Sequence, residues 1–307
     1  MKNIKFPLAL VILVIVAMVF GLITFVGQNF LTGGDTGKST ITTIAYTAGL
    51  ALLALIPRWL KQASSNYKTY IILEICSLVL FVGGTVFLAR PFVHYFGVSA
   101  DRARIQQSME TVLSESEEMY ERYEKYADNR LRLYRNGLAT AINPNRSGIS
   151  TKDYEMYGFT PCTSDTVQAN DKEKILRENL YNSSYKTNKE NNLKWLNATR
   201  EALENWNPVK VSAITGKLGP AVTAWYNSLV DGSRFRAKGE EAEDFHYGLS
   251  LNSLNDLLTA RRNPSIIGLL LAVVVALLML LPYLSASRSA GWPGWDVLLG
   301  KVGGNNF

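Results

Sequence analysis

Apolar residues dominate four stretches of the chain, Phe6–Gly27, Ile41–Pro57, Tyr70–Ala89 and Ser265–Leu284. A hydrocarbon core about 30 Å thick takes about 20 residues of helix. Each stretch therefore predicts a transmembrane helix, the second at the short limit. Between the third and fourth, the pattern changes to polar sequence with apolar residues at helical spacing. The expected fold class is an all-α integral membrane protein: four transmembrane helices plus a mainly helical extracytoplasmic domain inserted between spans three and four. The expected divisions are a three-span region over 1–89, the polar domain over 90–263, the fourth span over 264–285 and a short cytoplasmic tail over 286–307.

Within the polar domain, Arg90–Pro91 predicts a helix break, and Ser99 a cap for a long helix starting at Ala100. Ile105, Met109, Val112, Met119, Tyr123, Tyr126 and Leu133 recur at a spacing near 3.5 and predict its buried seam, interrupted by Ser116. Residues 143–165, rich in Pro, Gly, Asn, Ser and Thr, read as a loop. Lys172–Leu180 and Asn188–Trp206 read as helices, Val209–Ile214 as a short strand, and Gly219–Pro220 as the opening of another helix. Asn263 and Pro264 suit the start of the fourth span.

Charge changes the picture once it is located. The net charge of +6 invites a nucleic-acid reading. Residues 90–263, however, hold 24 basic and 23 acidic residues, against 8 and 3 elsewhere. The excess therefore flanks the membrane segments and argues for no nucleic-acid partner. Lys2, Lys5, Arg58, Lys61, Lys68, Arg288 and Lys301 fall on one side, and only Lys38 in the short loop on the other. By the positive-inside rule both termini are cytoplasmic and residues 90–263 periplasmic. Phe6–Gly27 exceeds a signal-peptide core and lacks a small-residue cleavage site, so it reads as an uncleaved span.

Span two is rich in Thr, Ala and Gly and is expected to be the buried helix of the bundle. Span four carries Gly268, Ala272 and Ala276 at four-residue intervals, a stripe that lets another helix approach closely. Glu74 is the one charged residue inside any predicted span, and an intramembrane carboxylate is a functional candidate by default. Its place near Tyr70 also suggests the headgroup layer or a pair with Lys68. Trp292 and Trp295 in the tail suit the membrane interface or a docking peptide. Tyr123 and Tyr126 are candidates for an interaction surface or the domain core.

The run Gly33–Thr40 is a near-miss of a phosphate-binding loop, because three residues rather than four separate Gly33 from Gly37 and no strand pattern precedes it. Glu240, Glu241, Glu243, Asp244 and His246 read as a solvated acidic linker. His94 and His246 lack metal-ligand spacing, and Cys76 and Cys162 lie in different segments. These residues predict no catalytic group, no cofactor and no metal.

In outline the chain resembles the TssN family of Bacteroidetes type VI secretion systems. The likeness rests on the N-terminal spans within Phe6–Ala89, the polar helix-rich domain, the further span and the short tail. The resemblance implies a non-enzymatic scaffold in the bacterial inner membrane, part of the complex anchoring the secretion apparatus. It also implies TssO, TssP, TssQ and TssR as companions. The residues themselves fit an oligomeric membrane subunit in contact with lipids. An extracytoplasmic sensor and a transporter or channel subunit using Glu74 are the alternatives.

Overall fold

A computed structural model of the chain describes residues 8–63, 66–143, 150–161, 163–251, 254–260 and 264–288. The regular structure among them is α-helical throughout. In chain order the helices are α1 (Leu8–Leu31), α2 (Thr36–Lys61), α3 (Tyr67–Leu88), α4 (Arg90–Ala100), α5 (Arg102–Ala141), α6 (Ser150–Met156), α7 (Asp165–Leu180), α8 (Ser183–Glu204), α9 (Pro208–Ser233), α10 (Leu254–Thr259), α11 (Ile266–Met279) and α12 (Leu281–Leu284). They form two compact units, one of residues 1–105, 208–213 and 256–307, the other of residues 106–207 and 214–255.

In the first unit, three helical runs are long and apolar enough to cross a membrane: Leu8–Leu31, Thr36–Lys61 and Tyr67–Ala100. The fourth predicted span is formed by α11, only 14 residues long, followed by α12. Pro282 sits in the first turn of α12, where it lacks an N–H to continue the ladder of α11. The cap of α11 is Ser265, whose hydroxyl accepts from Gly268 N–H, rather than Asn263, which lies outside the described residues.

Helix α2 packs against α1, α3 and α12, with Leu50, Ala54 and Pro57 buried; helix α1 packs against α2, α4, α11 and α12. Its inner face carries Leu13, Phe20, Gly27 and Phe30, while Leu8, Ile15, Met18 and Leu22 are more than half exposed. Phe20 stacks on Phe92 of α4 at 5.4 Å. The approach of α1 to α4 is closest at Gly27, where a Cβ would lie 1.9 Å from the Pro91 carbonyl oxygen. The helix resumes at Arg90–Pro91 instead of ending there, since Pro in a first turn forfeits no intrahelical bond. Ser99 consequently lies inside α4, its hydroxyl without a partner among the described residues. Asp101 precedes α5, its carbonyl accepting from Ile105 N–H at 3.0 Å.

The second unit is built on the 40-residue α5. The predicted seam is buried through Ile105, Met109, Val112, Met119 and Tyr123, and Ser116 is buried by bonding back to the Val112 carbonyl at 2.7 Å. Beyond Tyr123 the buried face rotates to Ala127, Leu131, Tyr134 and Leu138, leaving Leu133 exposed. A straight helix drifts from a 3.5-residue repeat by about 20° per heptad, which accounts for the shift. Against this face pack Leu176 and Leu180 of α7, Leu193 of α8, Leu229 of α9 and Phe245.

Two expectations fail here for local reasons. The predicted strand at Val209–Ile214 is the start of α9, with Pro208 as its first residue, and Gly219–Pro220 lies inside the same helix. Val211, Thr215, Leu218 and Val222, all buried, follow helical spacing over a window longer than the six residues that read as a strand. The supposed loop at 143–165 also contains α6, whose Tyr154 stacks on Phe159 at 5.0 Å.

Candidate functional site

Glu74 sits two turns into α3 and is 2% exposed. A bare carboxylate there would be costly to desolvate. Three donors meet it. Arg288 grips both oxygens, Nη1 to Oε2 and Nη2 to Oε1, each at 2.9 Å. The Tyr283 hydroxyl donates to Oε1 at 2.8 Å. Tyr283 is held in turn by Lys61, whose ammonium donates to the Tyr283 carbonyl at 3.0 Å and lies 4.7 Å from the ring centroid. The partner of Glu74 is therefore Arg288, beyond the end of span four, not Lys68, which is exposed at the start of α3.

This constellation joins the ends of α2, α3 and α12 at one end of the bundle. A bidentate guanidinium–carboxylate pair is strong and directional, and here it ties the residues after α12 back to α3. Both carboxylate oxygens are engaged, and the neighbouring cavity, lined by Lys61, Tyr67, Tyr70, Ile71 and Arg288 among others, is about 10 Å³. That is room for one water at most. The arrangement is suited to clamping helices rather than to passing a solute.

Glu74 stands out in the sequence, but its partners do not. Arg288 read only as a topology charge, because a contact across 214 residues leaves no local pattern. The uncompensated carboxylate was the one available signal that a cation must come from elsewhere.

The remaining candidates fall in separate places. Gly268, Ala272 and Ala276 face inward: a Cβ at Gly268 would stand 3.1 Å from Phe96 Cβ and 3.3 Å from the Val93 carbonyl, both on α4. Ala272 is buried in the same core and Ala276 partly so. Tyr123 is buried and donates to the Leu180 carbonyl at 3.1 Å. Half-buried Tyr126 donates to the Glu243 carbonyl at 2.6 Å and accepts from Arg130 at 2.9 Å. Trp292, Trp295 and Cys162 lie outside the described residues.

The two pseudo-motifs have structural occupations. Gly33 and Gly34 take positive φ values in the turn between α1 and α2. Asp35 then caps α2 by accepting from Lys38 N–H at 3.0 Å and pairs with the Lys38 ammonium at 3.2 Å. The acidic run is not simply solvated. Glu240 is buried against Arg130, Nε to Oε1 at 2.7 Å, and the remaining Arg130 nitrogens donate to the Ser233 and Phe235 carbonyls. Asp244 pairs with Arg236. Among the described residues no group of three or more His, Cys, Asp or Glu side chains is placed to hold a metal.

The chain is thus a helical protein with several apolar helices of membrane-crossing length, and it matches no protein-family model, no curated protein and no solved structure.

Proposed function

We propose that this protein is a non-enzymatic structural subunit of a multi-protein complex in the bacterial inner membrane. Both termini lie in the cytoplasm, residues 90–263 are periplasmic, and Ile266–Leu284 makes a fourth crossing. The observation that carries this reading is the occupation of Glu74. The single carboxylate within the predicted spans is locked by Arg288 and Tyr283, which favours a static joint over a proton or ion path. The resemblance in outline to the TssN family extends the proposal to the complex that anchors a type VI secretion apparatus. TssO, TssP, TssQ and TssR would then be its partners, and further copies of the chain its neighbours.

Purification of the tagged chain from its native membrane in mild detergent tests the reading. A large assembly with co-purifying partners is expected. A stable monomer without partners refutes it.

A further inference from the structure

The second unit contains a partly open cavity of about 290 Å³ between α5, α7, α8 and α9. Its volume is close to the lower end of the range for small-molecule sites. Tyr120, Tyr123, Tyr185, Trp225 and Leu229 supply aromatic and apolar lining. Asn179, Asn182, Asn188, Asn192, Ser184 and Ser228 supply hydrogen-bonding groups. Among the described residues no Asp, Glu, Lys, Arg or His lines it, in a unit otherwise dense with charge.

Several of these polar groups have capacity left over. Asn192 Nδ2 donates to the Tyr120 hydroxyl at 2.6 Å, so that buried hydroxyl acts as an acceptor while its own proton has no acceptor among the described residues. Asn188 and Ser228 are exposed. Asn182 is already engaged, accepting from Tyr185 N–H at 2.7 Å, so the N-terminus of α8 is capped from within. Burial raises the Tyr120 hydroxyl above its ordinary pKa and pushes Tyr123 up to about 12, which keeps both neutral.

We infer that this cavity binds a neutral pyranose sugar. A sugar ring presents C–H faces to aromatic side chains and hydroxyls to amides and serines, the two kinds of surface found here. A purely apolar ligand would leave the Tyr120 hydroxyl proton without an acceptor and would strip water from Asn188 and Ser228, which are exposed, at a cost of about 1–3 kcal/mol for each group it buries unpaired. A charged ligand would lose its hydration without a counter-charge. A flat base would need two facing rings, whereas Tyr120 and Tyr185 are inclined at 54° and pack on one another at 6.5 Å. Trp195, the ring beside Trp225, stands at 84° to it and does not line the cavity.

The test uses the full chain in a zwitterionic, sugar-free detergent, since glycoside detergents would compete. Methyl β-D-glucopyranoside and N-acetyl-D-glucosamine are the neutral probes, and D-glucuronate and D-glucosamine the charged ones. Binding is read by calorimetry and tryptophan fluorescence. Saturable binding of a neutral probe, tighter than about 10 mM, is expected, with charged probes at least about tenfold weaker, a difference of about 1.4 kcal/mol. Ser228→Phe, which fills the cavity from an exposed position, and Asn188→Ala, which removes an exposed amide, should each weaken binding about tenfold. Asn227→Ala, beside the cavity, should leave it unchanged. Helical circular dichroism checks that each variant is folded. No saturable binding of either neutral probe, equal binding of the charged ones, or binding indifferent to both cavity variants would overturn the inference.

Discussion

Gly27 marks the tightest residue-level constraint in the bundle. An added methyl would meet the Pro91 carbonyl, which is backbone and cannot rotate away. Gly27→Ala is expected to force α1 from α4 and to cost about 1–3 kcal/mol. Gly83→Ala on α3 adds a methyl to open space and should be neutral or slightly stabilising. Thermal unfolding in detergent compares the two, and equal melting temperatures would contradict the close approach. Glu74 makes a second constraint of a different kind. Removing one member of a buried ion pair leaves the other uncompensated. Arg288→Met should therefore cost about 3 kcal/mol, the low end for such pairs because Arg288 keeps a fifth of its surface exposed. The double variant Glu74→Met with Arg288→Met should recover most of that loss. A silent Arg288→Met would show that the clamp adds no stability.

At the scale of elements, α5 organises the second unit through two devices that work at different ranges. Its apolar face is short-range and periodic, so most of it was legible as spacing in the sequence, up to the drift that exposes Leu133. Its polar anchor was not legible. Arg130 gathers the Ser233 and Phe235 carbonyls, Tyr126 and Glu240, and the bonds to Ser233, Phe235 and Glu240 span more than 100 residues. The segment after α9 therefore looked like a polar linker, yet it is strapped to α5, with Phe245 3% exposed beneath it. Arg130→Ala should cost about 3–5 kcal/mol, and limited proteolysis should then cut within residues 235–250, which are expected to resist cleavage in the parent protein. Absence of new cleavage would contradict the strap. A weaker tie joins α5 to α7. Arg135, with Arg177, holds the Glu173 carboxyl down from 4.5 to about 2. A lowered folded-state pKa gives stability that is present above the unfolded value and lost as pH falls from about 4.5 through about 2. At partly exposed pairs the gain is about 0.2–1 kcal/mol. Glu173→Gln should flatten the acid limb of the stability–pH curve, by about half of that amount between pH 7 and pH 3, since the folded carboxyl takes up its proton only near 2; unfolding at the two pH values measures it.

For the whole molecule, what matters is which face of each membrane helix meets lipid and on which side of the membrane residues 90–263 fall. The lipid-facing surfaces follow directly from composition: Ile41 and Ile44 on α2, Val79, Leu80, Val86 and Phe87 on α3, and Ile266 and Leu270 on α11 are all more than 60% exposed. Helix order does not follow from composition. Small residues pointed to α2 as the buried helix, and Leu50, Ala54 and Pro57 of α2 are buried; the close approach of α4 to α1 at Gly27 left no mark in composition. Orientation rests on charge. Arg58 and Lys61 in the last turn of α2 gather with Lys68 in the first turn of α3, whereas the other end of α2 offers Lys38, already neutralised by Asp35. With Cys76 and Cys162 replaced by serine, a single cysteine at Lys194 on α8 should react with a membrane-impermeant maleimide in spheroplasts. One at Gln62, beyond the end of α2, should react only after lysis. Both side chains are exposed, so accessibility within the protein does not separate them and the membrane alone can. Labelling of Gln62→Cys in intact spheroplasts, with Lys194→Cys protected, would invert the topology. The 90–263 segment would then be cytoplasmic, and the envelope-scaffold reading would fall with it.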